Sequence, residues 1–330
     1  MERLEQLNSW IKTTAGISDY TLVSASEDAS FRRYFRLQYD NKSYIIMDAP
    51  PDHENCLPFI DIAMRLRNAG VNVPVVMQND LEQGFLLITD FGTALYLHEL
   101  SDNNADALYD DAINSIVCMQ KHADTDGLPL YDETLLRNEM QLFPDWLLSK
   151  HLAINLPANQ QKELQKIFDL LIKSALSQPR VFVHRDFHSR NLMYCRQNNP
   201  GIIDFQDAVL GPVTYDLVSL LKDAYIKWPS DRIDYWARLF YETIENRKAD
   251  HEQFMRWFDL MGVQRHLKVG GIFARLNHRD NKPGFLKDIP RTLSYITDLD
   301  REYPELKFLI ELIELEIKPK LEKANRKCAQ

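Results

Sequence analysis

The sequence predicts an α+β protein in two lobes: a small N-terminal lobe built on an antiparallel sheet, residues 1–90, and a large, mostly helical C-terminal lobe, residues 91–330. Three observations carry this reading. In the first ninety positions, apolar and aromatic residues fall in short runs separated by polar turns, the pattern of strands and hairpins. After Gly92 the apolar spacing changes to that of amphipathic helices. Only two short strand-like pieces, Arg180 to Val183 and Gly201 to Asp204, interrupt the helical stretch.

Leu4, Leu7, Trp10 and Ile11 recur at helical spacing, so the chain opens on an amphipathic helix. Thr21 to Ser24 reads as a strand, Ser26 to Ser30 as a polar turn, and Phe31 to Gln38 as a second strand. An Asp40-Asn41 turn leads into Ser43 to Met47, which completes a hairpin. Pro50-Pro51 breaks the pattern. A helix over Cys56 to Ala69 places Phe59, Ile62, Ala63 and Leu66 on one face, and Gly70 closes it. Val71 to Met77 and Gly84 to Thr89 are further strands, and Asp90-Phe91-Gly92 is a connector. Beyond it, helices are expected over Ala105 to His122, Thr134 to His151, Asn159 to Ser177, Pro212 to Lys227, Arg232 to Asn246, Glu252 to Leu276 and Leu306 to Ala324. The sequence has no internal repeat and no low-complexity linker.

Composition narrows the function. Of the 330 residues 45% are hydrophobic and 11% aromatic, which fits a packed globular protein. A net charge of −9 argues against a general nucleic-acid binder, which needs a basic patch. The four cysteines, Cys56, Cys118, Cys195 and Cys328, are scattered and form no CxxC pair, so neither a zinc site nor a disulfide framework is indicated. The N-terminus has no apolar core segment or cleavage signal, and no apolar run approaches a membrane span. The expectation is a soluble cytoplasmic protein with no membrane association, no nucleic-acid partner and no evident obligate protein partner.

Between the two late strand pieces lies His184-Arg185-Asp186-Phe187-His188-Ser189-Arg190-Asn191, and Asp204 follows Asn191 by thirteen residues. The types and spacing suit phosphoryl transfer, which needs an acceptor hydroxyl held in line with a phosphate and a charge sink for the phosphate oxygens. Asp186 is placed to orient the hydroxyl and take its proton, and Asn191 and Asp204 supply oxygen ligands suited to Mg²⁺. A plainer reading of an Asp-rich loop is turn chemistry, but histidine, aspartate, asparagine and second aspartate agree in type, order and spacing with the kinase catalytic loop and metal aspartate. Tyr215-Asp216-Leu217 opens a helix, and a buried Asp216 there would either accept backbone N–H bonds from the catalytic loop or merely favour the helix dipole. His188 and Arg190 are near enough in sequence to reach a transferred phosphate, or they are surface residues. Asp90-Phe91-Gly92 copies a kinase D-F-G but precedes the catalytic loop; it reads as a hinge, with Thr89, Asp90 and Phe91 offering backbone groups to adenine.

With these motifs the chain resembles the aminoglycoside phosphotransferase family, whose fold is similar to that of protein kinases; His184, Asp186 and Asn191 meet its catalytic motif and Asp204 its metal position. The resemblance implies a bilobal protein-kinase-like fold, with ATP and Mg²⁺ as cofactors. A narrower resemblance runs through Asp28 to Arg36, Met47 to Pro51, Phe205 to Val209, Gln264 to Lys268, Ile272 to Arg275 and Asn277 to Asp280. These stretches are similar to the anomeric kinases of N-acetylmuramate and N-acetylglucosamine, which make sugar 1-phosphates in cell-wall sugar recycling. The implied partners are a small sugar and ATP.

The sequence departs from the general kinase pattern twice. The phosphate-covering loop, Ser26 to Ser30, has no glycine, which leaves cradling to Ser30 and nearby backbone N–H groups. Met47 stands where the strand lysine is expected, so a cation toward the phosphates falls to Arg32 or Arg33, which alternate faces. Glu54 or Asp61 are possible partners for it. For the acceptor, Asp207 is placed to bind a sugar hydroxyl, and Arg265 and His266, with Lys268 nearby, form a basic stretch that suits a lactyl carboxylate; a solvated helix face is the alternative. Two other functions stay open at this point: a kinase of an aminoglycoside, choline or another amino alcohol, and a non-catalytic nucleotide-binding pseudokinase.

Overall fold

In the computed structural model the described residues are 3–27, 31–245 and 248–328. In chain order the first elements are α1 (Arg3–Thr13), β1 (Thr21–Glu27), β2 (Arg33–Tyr39), β3 (Lys42–Asp48), α2 (Leu57–Asn68), β4 (Val76–Asp80) and β5 (Phe85–Thr89). Then come α3 (Tyr96–Glu99), α4 (Ala105–His122), α5 (Glu133–Leu142), α6 (Ala158–Leu176), β6 (Arg180–Val183), β7 (Leu192–Met193), β8 (Gly201–Ile202) and β9 (Val209–Pro212). The chain ends through α7 (Tyr215–Leu221), α8 (Ser230–Thr243), α9 (His251–Asp280), α10 (Ile289–Thr297), α11 (Lys307–Glu311) and α12 (Lys318–Cys328).

The chain forms two compact units. One comprises Met1–Asp111, His122–Asp124 and Asn191–Asp207; the other comprises the rest. The first unit therefore runs past the expected boundary at residue 90 and takes in a late segment. Its centre is a five-stranded antiparallel sheet in the order β1-β2-β3-β5-β4. Leu37, Ile46, Phe85 and Leu87 on one face meet Leu7, Trp10 and Ile11 of α1 in a closed apolar cluster. Each such buried side chain contributes roughly 1.5–3 kcal/mol. The end of α1 is fixed by charge: Arg3 Nε donates to the fully buried Asp48 carboxylate at 2.9 Å, and its guanidinium lies 4.2 Å from the Phe85 ring centroid.

The late segment belongs to this unit because its hydrogen bonds go there. Ile202 N donates to Asn72 O at 2.8 Å, and Tyr194 N to Ala94 O at 2.7 Å. The Asn199 amide donates to Tyr96 Oη at 2.6 Å and to Asp111 at 2.7 Å. Gly201 admits a close approach, since a Cβ there would sit 2.7 Å from the Phe91 ring.

In the second unit α9, thirty residues long, is buried on most of its circumference. It is capped by Asp250, whose carboxylate accepts the Gln253 N–H at 2.9 Å. A Cβ on Gly271 would fall 2.3 Å from the Leu142 carbonyl carbon, so only glycine lets α9 lie this close to the end of α5. Strands β6 and β9 pair antiparallel, Val183 opposite Val209.

Several expected helices differ in extent. The stretch Thr134 to His151 is α5 followed by a π-helical segment, Phe143–His151. Pro144 has no N–H to continue the regular ladder, and the chain widens there. The helix expected over Pro212 to Lys227 is only α7, because Val209–Pro212 is a strand and Asp223 turns back to accept the Ser189 and Tyr225 N–H groups. The predicted helix over Leu306 to Ala324 is α11, a π-helical turn and α12, and α10 lies in a stretch assigned no element from sequence. Among the described residues no helix is long and apolar enough to cross a membrane.

Candidate active site

In the second unit β6 ends at Val183 and the chain enters the loop that carries Asp186. The loop is held from below by one side chain. Asp216, fully buried at the start of α7, accepts the His184 N–H at 2.7 Å and the Arg185 N–H at 3.0 Å. Burial pushes the Asp216 carboxyl up to about 7, against these two N–H bonds. His184 is buried and its Nδ1 accepts the Asp186 N–H at 3.2 Å, which makes Nε2 the protonated nitrogen of a neutral ring. Arg185 adopts φ +77°, the left-handed region a side chain rarely occupies. The far end of the loop is tied by Ser189 N to Asp223 at 2.9 Å.

What holds Arg185 in that conformation is a buried cluster. Glu139, on α5, takes Arg185 Nη2 at 2.6 Å and Lys268 Nζ at 2.9 Å, accepts Tyr131 Oη–H, and accepts Gln264 Nε2 at 3.3 Å. Lys268 also donates to Tyr215 Oη at 3.1 Å. Arg265 donates to Arg185 O at 2.8 Å and lies 3.7 Å from Asp186 Oδ1. Burial resists ionisation of Asp186, but the cations Lys268 and Arg265 outweigh it, and the carboxyl is held well below its usual range. Glu139 is likewise lowered, because Lys268 and Arg185 overcome the cost of its burial.

Arg265 and His266, candidates for the acceptor, are buried. The Arg265 guanidinium is committed to the loop, as above. His266 bonds to Lys222 O at 2.9 Å and stacks on Tyr295; burial pushes it down to about 3, so it is neutral. His188 sits edge-on to Tyr225, ring centroids 5.3 Å apart. Arg190 is exposed, over the faces of Tyr225 and Phe285.

The first unit carries the other half of the predicted residues. Asn191 Nδ2 donates to Asp204 Oδ2 at 3.1 Å and Gln206 Nε2 to Asp204 Oδ1 at 2.9 Å, so two amides fix the exposed Asp204 carboxylate. Asp204 itself sits at φ +64°. Strand β2 and the residue before it present three arginines, and each meets a carboxylate. Arg32 pairs with Glu54 at 3.0 Å, with Asp207 adding to the field that keeps it charged against burial. Arg33 Nε donates to Asp48 at 3.0 Å, and Arg36 Nε to Asp90 at 2.6 Å. Met47 is fully buried. Thr89 N donates to Val75 O and Thr89 Oγ1 accepts the Val75 N–H, both at 3.1 Å, while the Asp90 carboxylate takes the Gly92 N–H at 2.8 Å. Asp207 is exposed, and Ser30 lies outside the described residues.

The residues sequence reasoning missed are Glu139 and Gln206. Glu139 had a signal: it is an acid between Leu136 and Met140 on the buried face of α5. Gln206 had none beyond its nearness to Asp204.

A sheet-bearing unit in which Asn191 meets Asp204, and a helical unit whose Asp186 loop is pinned by Asp216, match the class of kinase-like phosphotransferases. The chain belongs to the phosphotransferase enzyme family, whose pattern it matches over residues 21–258. It is 46% identical over 326 residues to the N-acetylmuramate/N-acetylglucosamine kinase of Pseudomonas aeruginosa, covering 94% of this chain and 96% of that one. It is 48% identical over 310 residues to the protein of the same name from Pseudomonas putida, covering 93% and 90%. Among solved structures it resembles the ADP-bound aminoglycoside phosphotransferase APH(2'')-Ib, with a TM-score of 0.58 at 16% identity over 89% of this chain and 96% of that one. The α+β, kinase-like fold expected from sequence is thus the fold of this family.

Proposed function

We propose that the protein is an ATP-dependent sugar kinase that phosphorylates the anomeric hydroxyl of N-acetylmuramate and N-acetylglucosamine, in the recycling of cell-wall sugars. The observation that carries the chemistry is the Asp186 loop, pinned by Asp216 at both His184 N and Arg185 N. The acceptor comes from the two Pseudomonas relatives, which match nearly the whole chain. ATP dependence assigns the protein to the cytoplasm, where ATP is supplied.

The residues divide the work as follows. Asp186 accepts a hydrogen bond from the anomeric hydroxyl and aims its oxygen at the γ-phosphorus. With its pKa lowered by Lys268 and Arg265, Asp186 is a weak base and chiefly an orienting group. That suits a loose transition state, in which the hydroxyl proton leaves late. As the new P–O bond forms and the bond to the ADP oxygen breaks, the proton passes to Asp186 and then to solvent. Asn191 and Asp204 would hold Mg²⁺ through an amide oxygen and a carboxylate, two hard oxygen ligands kept side by side by the Asn191 Nδ2–H that donates to Asp204 Oδ2 at 3.1 Å. Bound there, the ion would neutralise charge on the phosphate oxygens. Arg32, oriented by Glu54, takes the part of the missing strand lysine toward the α- and β-phosphates. Of Thr89, Asp90 and Phe91, the backbone groups of Asp90 and Phe91 are the proposed adenine contacts, since the Thr89 N–H is already bonded to Val75 O. Asp207 is the proposed contact to a sugar hydroxyl.

A coupled ADP-release assay over a panel of sugars and amino alcohols tests the proposal, with phosphorus NMR locating the new bond. Turnover of both N-acetyl sugars to 1-phosphates is expected. Turnover of neither would refute the assignment.

A further inference from the structure

The two sugars differ in one group. N-acetylmuramate carries a lactyl ether at C3, and hence a carboxylate; N-acetylglucosamine has a hydroxyl there. A site that takes both needs a cation that answers the carboxylate and tolerates its absence. A buried cation fails the second condition, because the smaller sugar would leave it uncompensated. An exposed cation meets both, since water solvates it when the carboxylate is missing.

Arg265 is 4% exposed and committed to Arg185 O, and Arg185 and Lys268 share the Glu139 carboxylate. Arg190 is different. It is exposed, its side chain hydrogen-bonds Tyr225, and among the described residues no ion pair to a carboxylate holds it. Aromatic rings hold it instead: its guanidinium carbon lies 4.8 Å from the Tyr225 centroid and 5.3 Å from that of Phe285. Those rings are braced in turn. Phe273 stacks on Phe285 at 5.5 Å and meets Tyr225 at 5.9 Å, and His188 abuts Tyr225. Asp223, a nearby acid, has both carboxylate oxygens on backbone N–H groups, of Ser189 and Tyr225. Contact with ring faces fixes a guanidinium without cancelling its charge. Position agrees as well: Arg190 follows Asp186 by four residues, a span of at most ~14 Å, and C3 is the second ring carbon from C1.

We infer that Arg190 is the specificity residue for the lactyl carboxylate of N-acetylmuramate. The inference rests on the function proposed above. It is tested by steady-state kinetics of the full chain, R190Q and R190K on N-acetylmuramate, its methyl ester and N-acetylglucosamine at saturating ATP. Loss of a charged, bidentate contact should lower the ratio of kcat/KM for N-acetylmuramate over N-acetylglucosamine roughly 10- to 100-fold in R190Q, through KM, with R190K intermediate. Esterification should cost the unmodified enzyme a similar factor and cost R190Q little more, the signature of one shared interaction. An unchanged ratio in R190Q, or an ester penalty as large in R190Q as in the unmodified enzyme, would overturn the inference while leaving the function standing. Failure of the unmodified enzyme on both sugars would overturn the function and the inference together. Turnover of N-acetylglucosamine by R190Q reports that the variant is folded.

Discussion

Replacing Glu139 with glutamine keeps the shape of the side chain and removes its charge. That charge faces Arg185 at 2.6 Å and Lys268 at 2.9 Å, with the Glu139 side chain 7% exposed and the Lys268 side chain 6%. Screening by water is slight at this depth. Arg185 and Lys268 would both lose their ion-pair partner, and breaking a buried pair in this way costs roughly 3–5 kcal/mol. In a unit of this size each kcal/mol lowers the melting temperature by about 2–4 °C, so a drop of about 6–20 °C is expected in the helical unit. The same change removes what holds Arg185 at φ +77°, so kcat should fall by more than the loss of folded protein explains. Neutralising Lys268 as well, in E139Q/K268M, should recover a large part of the stability. The pH dependence carries a further sign. Glu139 ionises below its ordinary value of 4.5 in the folded state, so its stabilisation is complete above that value and is lost as the pH falls through the lowered one. Stability of E139Q should therefore decline less steeply below about pH 4.5 than that of the unmodified protein. Thermal and urea unfolding between pH 3 and 8 measures both effects. A melting temperature within 2 °C of the unmodified protein at pH 7, with an unchanged acid slope, would refute the argument that Glu139 is the counter-charge of this cluster.

Three other perturbations have expected outcomes. Asp186→Asn should lower kcat by about 10²–10⁴-fold with a smaller change in KM, and retention of full kcat would remove Asp186 from the chemistry. Arg32→Ala should raise KM for ATP about tenfold or more while leaving acceptor KM near its starting value, and Glu54→Gln should do the same to a lesser degree, as read by varying ATP at fixed sugar. Gly271→Ala forces a Cβ to within 2.3 Å of the Leu142 carbonyl carbon and should cost about 1–3 kcal/mol in urea unfolding.

How far the sequence reaches can be judged residue by residue. The helix Ala105 to His122 and the strand Arg180 to Val183 were legible to the residue, because their periodicity is local and unbroken. The loop from His184 to Asn191 was legible as a unit because its residue types and spacing form a pattern by themselves, whatever lies around them. The N–H bonds that Asp216 accepts were anticipated as one of two readings, since an acid at a helix start has only a few uses. Pairings were not legible. Arg36 and Asp90 are 54 positions apart, and nothing local chooses Asp90 for Arg36, or Asp48 for Arg33. The same holds for the segment Asn191–Asp207, which joins the sheet-bearing unit through bonds to Asn72, Ala94, Tyr96 and Asp111 that periodicity does not encode. The buried state of Arg265 and His266 was hidden for a related reason: α9 is covered on nearly every side, so its polar residues read as a solvated face when they are interior.

Met47, a buried thioether read from the sequence as standing in place of the strand lysine of kinases, has a practical meaning for chemical biology. Reagents that tag ATP sites by acylating that amine, such as acyl-phosphate nucleotides, would find a fully buried thioether there and nothing to acylate. The arginine proposed in its place, Arg32, stays protonated beside Glu54 and is no nucleophile at any accessible pH. Kinase profiling that depends on capture of this lysine would therefore pass over the protein, and a selective covalent ligand would need an electrophile matched to some other side chain.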